Sequence, residues 1–526
     1  MTIPRRWFRL LAALVAALLA PDLATAQKAA APPPGFDAYV ANVLKTFSVP
    51  GVAIAIVKDG RVVLARGYGV RRLGDATPVD ARTQFGIASN TKVFTATALA
   101  MLVEEGKVEW DAPVIRYLPW FAMYDPYVTR ELTVRDLLVH RSGLGLGAGD
   151  LLWWPPSTYD RKEIARRLRF IKPATSFRSA YAYDNVLYLV AGEVIEAVSS
   201  QTWEEFVHTR ILERVGMSHS DVNHSAAGKA GNVATPHAEV NDTVRPVAPF
   251  LSDNTNPAGG IVSGAEDMAK WVMVQLDSGR VADGSRLISP ESIRQIWREV
   301  TPEPISDAPA GLSHLRPNIN GYALGLETKD YRGKLLLTHT GGLPGYLSRV
   351  AMLPELRVGV VVLTNQESGY AFNSIAYRVL DHYLGVKAPD YVGLYGELLR
   401  HNRAELAKLA ADAASQRDST SGPSLPLAKY AGIYRDAWYG DVAIAEEHGK
   451  LVIRMTRTPS MVGDLEHWQH DTFVARWRDR ELRADAYLTF ALNPDGSIDQ
   501  AKMAPISPAV DFSFDFQDLV LKPAAP

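Results

Sequence analysis

A serine and a lysine stand three residues apart in Ser89-Asn90-Thr91-Lys92, the one S-x-x-K motif of the chain. Residues i and i+3 share one face of a helix, so the Lys92 amine can reach the Ser89 hydroxyl. A serine hydroxyl is a weak nucleophile until a base removes its proton, and a desolvated lysine can accept that proton or lower the pKa of a neighbouring base. The pair predicts acyl transfer through Ser89. Taken alone, it also fits a helix-capping serine beside a lysine that extends to the surface.

A second candidate group is Tyr183-Asp184-Asn185, which precedes a predicted helix at residues 186–197. A tyrosine serves as a base only where nearby cations lower its pKa from about 10, and Lys92 would be such a cation. The Asn185 amide both donates and accepts, which suits binding of a substrate amide or of the lysine. Taken alone, the motif is better explained by a capping asparagine beside a packing tyrosine, and Tyr181 is an alternative to Tyr183.

A third group, His339-Thr340-Gly341-Gly342, closes a predicted strand. Glycines at a strand end let a ligand or another backbone approach closely. A free backbone N–H here, together with that of Ser89, could form an oxyanion hole. An ordinary glycine-rich turn explains this motif comparably well.

These groups must be positioned by a sheet and a set of helices. Lys58-Asp59-Gly60 between two apolar runs predicts a hairpin over residues 52–67, and residues 89–105 predict a helix that is apolar almost all round and therefore buried. Strands return over residues 334–365. Helix-start signals dominate the interval, namely capping boxes at Thr202-x-x-Glu205 and Ser263-x-x-Glu266 and an N-cap at Ser289-Pro290. The pattern predicts an α+β fold in which an antiparallel sheet flanked by helices carries an inserted helical subdomain.

The last quarter of the chain has a different pattern. Residues 401–416 predict a helix and 418–426 a linker, after which short alternating strands predict a small β-barrel or sandwich over residues 427–526. One of these strands is expected at residues 512–516, with Phe512, Phe514 and Phe516 on one face. The predicted organisation is a large α+β domain at residues 36–400, a helix and linker at 401–426, and the barrel at 427–526.

The first residues have the pattern of an export signal. Three arginines precede an apolar run at residues 10–20, and Ala24-Thr25-Ala26 fits a cleavage site. We expect cleavage after Ala26, a Pro/Ala linker at residues 27–35, and a periplasmic or secreted protein. The apolar run is shorter than the roughly 20 residues that a membrane anchor needs.

Composition excludes several classes of function. Lys and Arg number 56 against 58 Asp and Glu, which argues against a nucleic-acid binder, and with no cysteine the chain has no thiolate nucleophile, disulfide or cysteine-ligated metal. The nearest histidine pairs, His219/His224 and His467/His470, lack helix-spaced carboxylates and are expected at the surface. The sequence predicts neither a metal nor a cofactor, and it leaves the oligomeric state open.

The three motifs occur in the order S-x-x-K, Y-x-N and H-T-G. With them the chain resembles the serine β-lactamase and penicillin-binding-protein-like hydrolases. It is most similar to the branch of class C β-lactamases, D-aminopeptidases, DD-carboxypeptidases and family VIII esterases, the S12-type peptidases. The resemblance extends over roughly residues 36–390 and includes Leu138-Val139-His140-Arg141-Ser142-Gly143-Leu144, Val215-Gly216-Met217, Ala258-Gly259-Gly260 and Gly341-Gly342-Leu343-Pro344-Gly345. The C-terminal part is similar to the lipocalin-like barrel that some members carry.

The resemblance implies a role for each residue of the first two motifs. Ser89 would be the acylated nucleophile and Lys92 its activating partner. Tyr183 would carry the proton to the leaving group, and Asn185 would bind the substrate amide. Whether Lys92 or Tyr183 is the acylation base is left open.

For the third motif, the resemblance implies that the His339-Thr340-Gly341 strand lines the cleft and that the N–H groups of Ser89 and Gly342 hold the oxyanion. Class C β-lactamases have lysine in place of His339. Its loss removes a permanent cation for a substrate carboxylate and argues against strong β-lactamase activity.

The function implied is an acyl-enzyme serine hydrolase acting on amide or ester bonds without a cofactor, with peptides that contain D-amino acids as the favoured substrates. Two enzyme alternatives are a family VIII-type carboxylesterase and a weak β-lactamase. An inactive penicillin- or peptide-binding protein is the alternative of another class.

Overall fold

The computed structural model describes residues 31–225 and 231–524 of the chain. The predicted signal peptide lies outside the described residues. In the described part, no helix is both long and apolar enough to cross a membrane.

The N-terminal unit is organised around an eight-stranded antiparallel sheet with the strand order β2-β1-β12-β11-β10-β9-β8-β7. Strand β1, which lies next to the edge strand β2, is an apolar run, GVAIAIVK. The predicted hairpin to β2 is confirmed, with Asp59 and Gly60 both at positive φ in the turn. Two short pairs, β3 with β6 and β4 with β5, lie outside this sheet. The strands of the unit are β1 Gly51–Lys58, β2 Arg61–Gly69, β3 Phe85–Gly86, β4 His237–Val240, β5 Thr243–Pro246, β6 Val262–Ser263, β7 Thr301–Pro302, β8 Asn320–Tyr322, β9 Glu327–Tyr331, β10 Lys334–Leu343, β11 Tyr346–Leu353 and β12 Val358–Thr364.

Helices cover both faces of this sheet, and alternate residues of β1 therefore point into two different cores. Ala53, Ala55 and Val57 pack in the core that contains the Lys92–Glu104 and Ala265–Leu276 helices. The intervening residues of β1 pack against the Phe36–Thr46, Gly369–Tyr383 and Tyr391–Ser415 helices. The predicted α+β arrangement is confirmed. The remaining α-helices in the part of the chain that the structure describes are Pro126–Glu131, Arg161–Arg167, Val186–Ser199, Trp203–Val207, Glu213–Val215, Asn256–Gly259 and Pro290–Trp297.

Two of the three predicted helix starts are confirmed. Thr202 and Glu205 form the capping box, and Ser289 caps its helix through the Ser292 N–H. The prediction for Ser263 was wrong, because this residue ends β6 and its hydroxyl bonds to Ser220 Oγ at 2.8 Å. Pairing of β6 with β3 places Ser263 in a sheet, and Gly264 becomes the N-cap of the following helix.

The C-terminal unit is a barrel-shaped antiparallel sheet with the order β19-β18-β17-β16-β15-β14-β13-β20. It closes through the pairing of β20 with β13 and a bridge between Ala501 and Leu521, which confirms the predicted barrel. The Tyr391–Ser415 helix leads toward it and runs through residue 400 without interruption. The strands are β13 Gly432–Asp436, β14 Gly440–Glu447, β15 Lys450–Met455, β16 Val462–Gln469, β17 Thr472–Trp477, β18 Ala486–Leu492, β19 Ile498–Pro505 and β20 Lys522–Pro523.

The strand predicted at residues 512–516 does not form. The segment makes two 3₁₀ turns, Phe512–Phe514 and Phe516–Asp518. The Asp511 carboxylate accepts the Ser513 N–H, a local bond that competes with pairing in a sheet. Phe514 and Phe516 are buried, whereas Phe512 is 41% exposed, so the three rings do not share one face.

Candidate active site

Ser89 lies on a 3₁₀ turn, Ala88–Thr91, that leads into the Lys92–Glu104 helix. The sequence predicted helix from Ser89, but regular α-helix begins only at Lys92. Ala88 has a φ of 48°, a left-handed conformation that costs a non-glycine residue about 1–2 kcal/mol. Hydrogen bonds to Ser348 of β11 hold the turn in place. Asn90 Nδ2 donates to Ser348 Oγ at 2.8 Å, and Ser348 Oγ donates to the Ile87 carbonyl at 2.6 Å. This geometry leaves the Ser89 side chain partly exposed to the cleft.

Lys92 is completely buried beneath Ser89 and uses all three of its N–H donors. Its Nζ lies 3.1 Å from Ser89 Oγ, 2.7 Å from Asn185 Oδ1 and 3.1 Å from the Ala258 carbonyl oxygen. Burial lowers the Lys92 pKa to about 7, although the nearby Asp150 carboxylate opposes this shift. The lysine does not extend to the surface, and near neutral pH a large fraction of it is an uncharged amine that can accept a proton.

Tyr183 also reaches Ser89, and its ring centroid lies 4.8 Å from Lys92 Nζ. We expected neighbouring cations to lower the phenol pKa, but burial raises it, and the hydrogen bond to Ser89 only partly offsets that effect. The Tyr183 phenol therefore remains protonated and acts as a donor. Tyr181 lines the same cavity, but its ring contacts His140 edge-on and the Tyr322 ring at a tilt. Tyr183 is therefore the tyrosine that contacts the serine.

Asn185 connects Lys92 to a carboxylate that the sequence analysis did not identify. The Asn185 Nδ2 donates to Asp150 Oδ2 at 2.8 Å, and Trp153 Nε1 donates to Asp150 Oδ1 at 3.0 Å. Asp150 is fully buried, and burial raises its pKa to about 7 despite these bonds. No motif marks Asp150 in the sequence, because its link to Asn185 spans 35 residues and depends on tertiary packing.

His339 is buried among aromatic rings and is uncharged at neutral pH. Its Nδ1 donates to the Thr340 carbonyl at 2.5 Å, and its Nε2 accepts from the Tyr322 hydroxyl at 2.7 Å. Burial lowers the His339 pKa to about 4. His140 lies in the same aromatic cluster, 4.4 Å from the Tyr322 ring, and burial lowers its pKa well below the ordinary value.

The two glycines of the third motif have different environments. A Cβ on Gly341 would lie 2.2 Å from the Ile87 carbonyl oxygen, so only glycine lets β10 approach the Ser89 turn this closely. Gly342 instead lines the cavity at Ser89, together with Thr340 and His339. The motif ends its strand as predicted to within one residue, since β10 ends at Leu343, which pairs with Tyr346 of β11.

Ser89 opens into a cavity of about 410 Å³ that contains all of the predicted site residues except the buried Lys92 and Gly341. Its charged lining groups are acidic, Glu327 and Asp511, and among the described residues no arginine or lysine lines it. Burial acts to raise the Glu327 pKa, but Lys329 and other nearby basic groups outweigh it, so the pKa lies below its usual value. Glu327 Oε2 accepts the Lys329 ammonium at 2.6 Å, so the Glu327 charge is already paired. Among the described residues, the cavity lining thus offers carboxylate oxygens but no cation to a substrate.

A second cavity of about 640 Å³ continues from the first, between the N-terminal unit and the barrel. The two share four lining residues, and the wall of the second is mostly apolar and aromatic. The shared residues are Trp154, Gly342, Leu343 and Asp511.

The histidine pairs proposed as surface residues need one correction. His224 is buried and its Nε2 bonds to the Gly259 carbonyl at 3.1 Å. His219 lies close to Glu266 and Asp267, in a group of suitable size for a cation. The Asp267 oxygens are already used, since they accept the His219 and Ser220 donors and the Lys270 ammonium at 2.7–2.9 Å. These hydrogen bonds give His219, Glu266 and Asp267 a structural role.

Comparisons with known proteins identify relatives of this chain. A family model described as Beta-lactamase matches residues 36–384, and one described as a domain of unknown function (DUF3471) matches residues 416–523. An unguisins hydrolase from Aspergillus violaceofuscus is 30% identical over 495 residues, covering 88% of this chain and 86% of the relative. A protein named flp from Staphylococcus aureus is 25% identical over 346 residues, covering 64% and 63%.

Solved structures share the fold. The octameric penicillin-binding protein homologue from Pyrococcus abyssi superposes with a TM-score of 0.56 at 22% identity, covering 92% of this chain and 98% of that one. A penicillin binding protein from Bacillus halodurans superposes with a TM-score of 0.53 at 22% identity, covering 66% of this chain and 99% of that one. The family model spans most of the N-terminal unit, and Ser89 and Tyr183 line one cavity with Lys92 buried beneath Ser89. The chain belongs to the beta-lactamase family of serine hydrolases.

Proposed function

We propose that this protein hydrolyses amide or ester bonds through a covalent acyl-enzyme on Ser89. The observation that carries the proposal is the buried Lys92 amine, 3.1 Å from Ser89 Oγ and with a pKa near 7. As Ser89 Oγ bonds to the substrate carbonyl carbon, its proton passes to Lys92. The N–H groups of Ser89 and Gly342 stabilise the oxyanion, and both residues line the same cavity.

Collapse of the tetrahedral intermediate breaks the bond to the leaving group. Tyr183 donates its phenolic proton to that group and regains a proton from Lys92, whose Nζ lies 4.8 Å from the Tyr183 ring centroid. Water then attacks the acyl-enzyme, with the same groups working in reverse. The raised pKa of Tyr183 supports Lys92 as the acylation base, because a protonated phenol is suited to donate rather than to accept.

Peptides that carry a D-amino acid are the proposed substrates, and the charges of the cavity favour aminopeptidase over carboxypeptidase chemistry. The Glu327 carboxylate faces the cavity and can pair with a free α-ammonium group, while the neutral His339 offers no cation to a substrate carboxylate. DD-carboxypeptidase substrates and β-lactams both present a carboxylate and are disfavoured. The relative named as an unguisins hydrolase supports hydrolysis as the activity.

Ester hydrolysis is the second candidate. The apolar 640 Å³ cavity beyond Leu343 has room for a bulky apolar group that carries no charge. Esters with long apolar chains would then be cleaved faster than acetates.

The test compares initial rates on D-alanine p-nitroanilide, its N-acetylated form, an N-acyl-D-Ala-D-Ala peptide, nitrocefin and p-nitrophenyl esters. Faster cleavage of the free amine than of its acetylated form, with that preference lost in Glu327→Gln, supports the aminopeptidase. A preference for the carboxylate-bearing peptide or for nitrocefin contradicts the assignment. Binding without turnover of any substrate would identify an inactive binding protein.

We also propose export to the periplasm or the exterior, with cleavage after Ala26. The support is the charge and hydropathy pattern of the first 26 residues. N-terminal sequencing of the protein secreted by the native host tests it, and a mature protein that retains Met1 contradicts it.

A further inference from the structure

The barrel contributes a segment to the active site, residues 511–515 between β19 and β20. The Phe512 ring lies 6.2 Å from the Tyr183 ring in an edge-on contact, and Asp511, Phe512 and Ser513 line the cavity at Ser89. A Cβ on Gly147, whose φ is 70°, would approach Phe512 Cδ2 to 2.7 Å. The segment is therefore packed tightly against the N-terminal unit.

Two hydrogen bonds attach this segment to the residues around Asp150. Ser513 Oγ donates to Asp150 Oδ2 at 2.9 Å, and the Gly149 N–H donates to Asp515 Oδ2 at 2.7 Å. Ser513, Asp515 and Asp150 are 4%, 1% and 0% exposed, respectively. Buried hydrogen bonds to a carboxylate are costly to break, because the carboxylate has no water to replace the lost donor.

Asp150 determines which way the Asn185 amide points. When Asp150 is a carboxylate, which only accepts hydrogen bonds, and Lys92 an ammonium, which only donates them, the Asn185 NH₂ must face Asp150 and its oxygen must face Lys92. The distances match this arrangement, 2.8 Å from Nδ2 to Asp150 and 2.7 Å from Oδ1 to Lys92 Nζ. A continuous chain of bonds thus runs from Ser513 in the barrel through Asp150 and Asn185 to the amine beneath Ser89.

We propose that Asp150 and Ser513 are positioning residues for acyl transfer, with Asp150 orienting Asn185 toward Lys92 and Ser513 of the barrel holding Asp150 in place. The barrel is then part of the catalytic unit rather than an independent appendage. The inference rests on the proposed function, since it concerns the same Ser89–Lys92 pair.

The test measures the rate at which a fluorophosphonate labels Ser89 in Ser513→Ala, with Ser497→Ala as the matched control. In this reaction Ser89 Oγ bonds to phosphorus and fluoride leaves, and it requires the same loss of the Ser89 proton as acylation does. Ser497 is also a hydrogen-bonded barrel serine, but it lies in an exposed turn and bonds only to its own hairpin. Substrate affinity is measured separately by calorimetry in the Ser89→Ala background, and thermal melting reports on folding.

We expect Ser89 of Ser513→Ala to be labelled about tenfold more slowly, because one charge-assisted hydrogen bond is lost. Substrate affinity should match that of Ser497→Ala, and the melting temperature should fall modestly, because a buried hydrogen bond is lost, while the protein stays folded at the assay temperature. A labelling rate equal to that of the control overturns the inference, and so does a slower rate that is accompanied by weakened substrate binding or by unfolding at the assay temperature.

Asp150→Asn provides a second readout that a purely structural role would not move. The titratable groups around the Lys92 amine are Asp150, Asp184, Tyr183, Tyr188, His140 and His339. Removing the Asp150 charge removes a stabiliser of the ammonium, so the pH midpoint of acylation should move to lower pH in this variant and stay in place in Ser497→Ala. An unmoved midpoint contradicts the inference. Acylation that persists after Ser89→Ala would instead refute the proposed function itself.

Discussion

The pH dependence of Ser89 acylation should follow the titration of Lys92. Burial holds the Lys92 pKa near 7 instead of its usual 10.5. At pH 7 the unprotonated fraction is then about one half, compared with about 1 in 3,000 for an ordinary lysine. The structure thus raises the concentration of active base at neutral pH by about three orders of magnitude.

These fractions give a specific profile for the wild-type acylation rate. Between pH 6 and pH 8 the rate should rise about tenfold, and from pH 8 to pH 9 it should rise only about 1.1-fold. A lysine with the ordinary pKa would instead gain about tenfold from pH 8 to pH 9. The assay is the first-order rate of covalent labelling under excess fluorophosphonate, read by intact-protein mass spectrometry across this range.

Two variants identify the titrating group. Lys92→Arg keeps a cation but cannot lose its proton, so labelling should slow by about 10²–10⁴-fold, the usual contribution of a general base. Tyr183→Phe should keep the midpoint near pH 7, because the phenol does not titrate there. A wild-type rate that still climbs tenfold between pH 8 and pH 9, or a midpoint that disappears in Tyr183→Phe, would refute Lys92 as the base.

Two stability predictions test the packing around the site and in the barrel. Gly341→Ala places a methyl group against the Ile87 carbonyl and should lower the free energy of unfolding by about 2–3 kcal/mol in urea titrations, whereas Gly432→Ala, with its nearest neighbour at 3.8 Å, should change it little. Asp485→Asn should cost about 2 kcal/mol at pH 7, because this buried carboxylate pairs with two arginines that depress its pKa. A depressed carboxyl pKa stabilises the fold fully only above the ordinary value of 3.8, so the difference from wild type should shrink as the pH falls below 3.8 and vanish below the lower folded-state pKa. A difference that stays constant as the pH falls through this range would contradict the prediction.

The sequence contains most of what positions the nucleophile. The hairpin at Asp59-Gly60 and the buried helix after Ser89 follow from local turn chemistry and hydropathy period, and both are present. The three motifs also converge on one cavity, as their order along the chain led us to expect. These features are predictable because each depends on residues close together in the chain.

The sequence did not predict the features that depend on tertiary contacts. The Asp150 network spans two units, and its Ser513 bond joins residues 363 positions apart. Alternating phenylalanines predicted a strand at residues 512–516, but the Asp511 carboxylate and the packing against Gly147 produce turns instead. The Tyr183 pKa was expected to fall near a cation, but the same burial that weakens the Lys92 ammonium also disfavours the phenolate.

The central claim is that Ser89 forms the acyl-enzyme, and one measurement tests it most directly. Wild-type protein and Ser89→Ala are incubated with a fluorescent penicillin, D-alanine p-nitroanilide and a p-nitrophenyl ester, and any covalent adduct is located by peptide mass spectrometry while turnover is followed. We predict an adduct on Ser89 in the wild type with at least one of these reagents, and neither adduct nor turnover in Ser89→Ala. Turnover that survives in Ser89→Ala, or an adduct on a different residue, would contradict the mechanism.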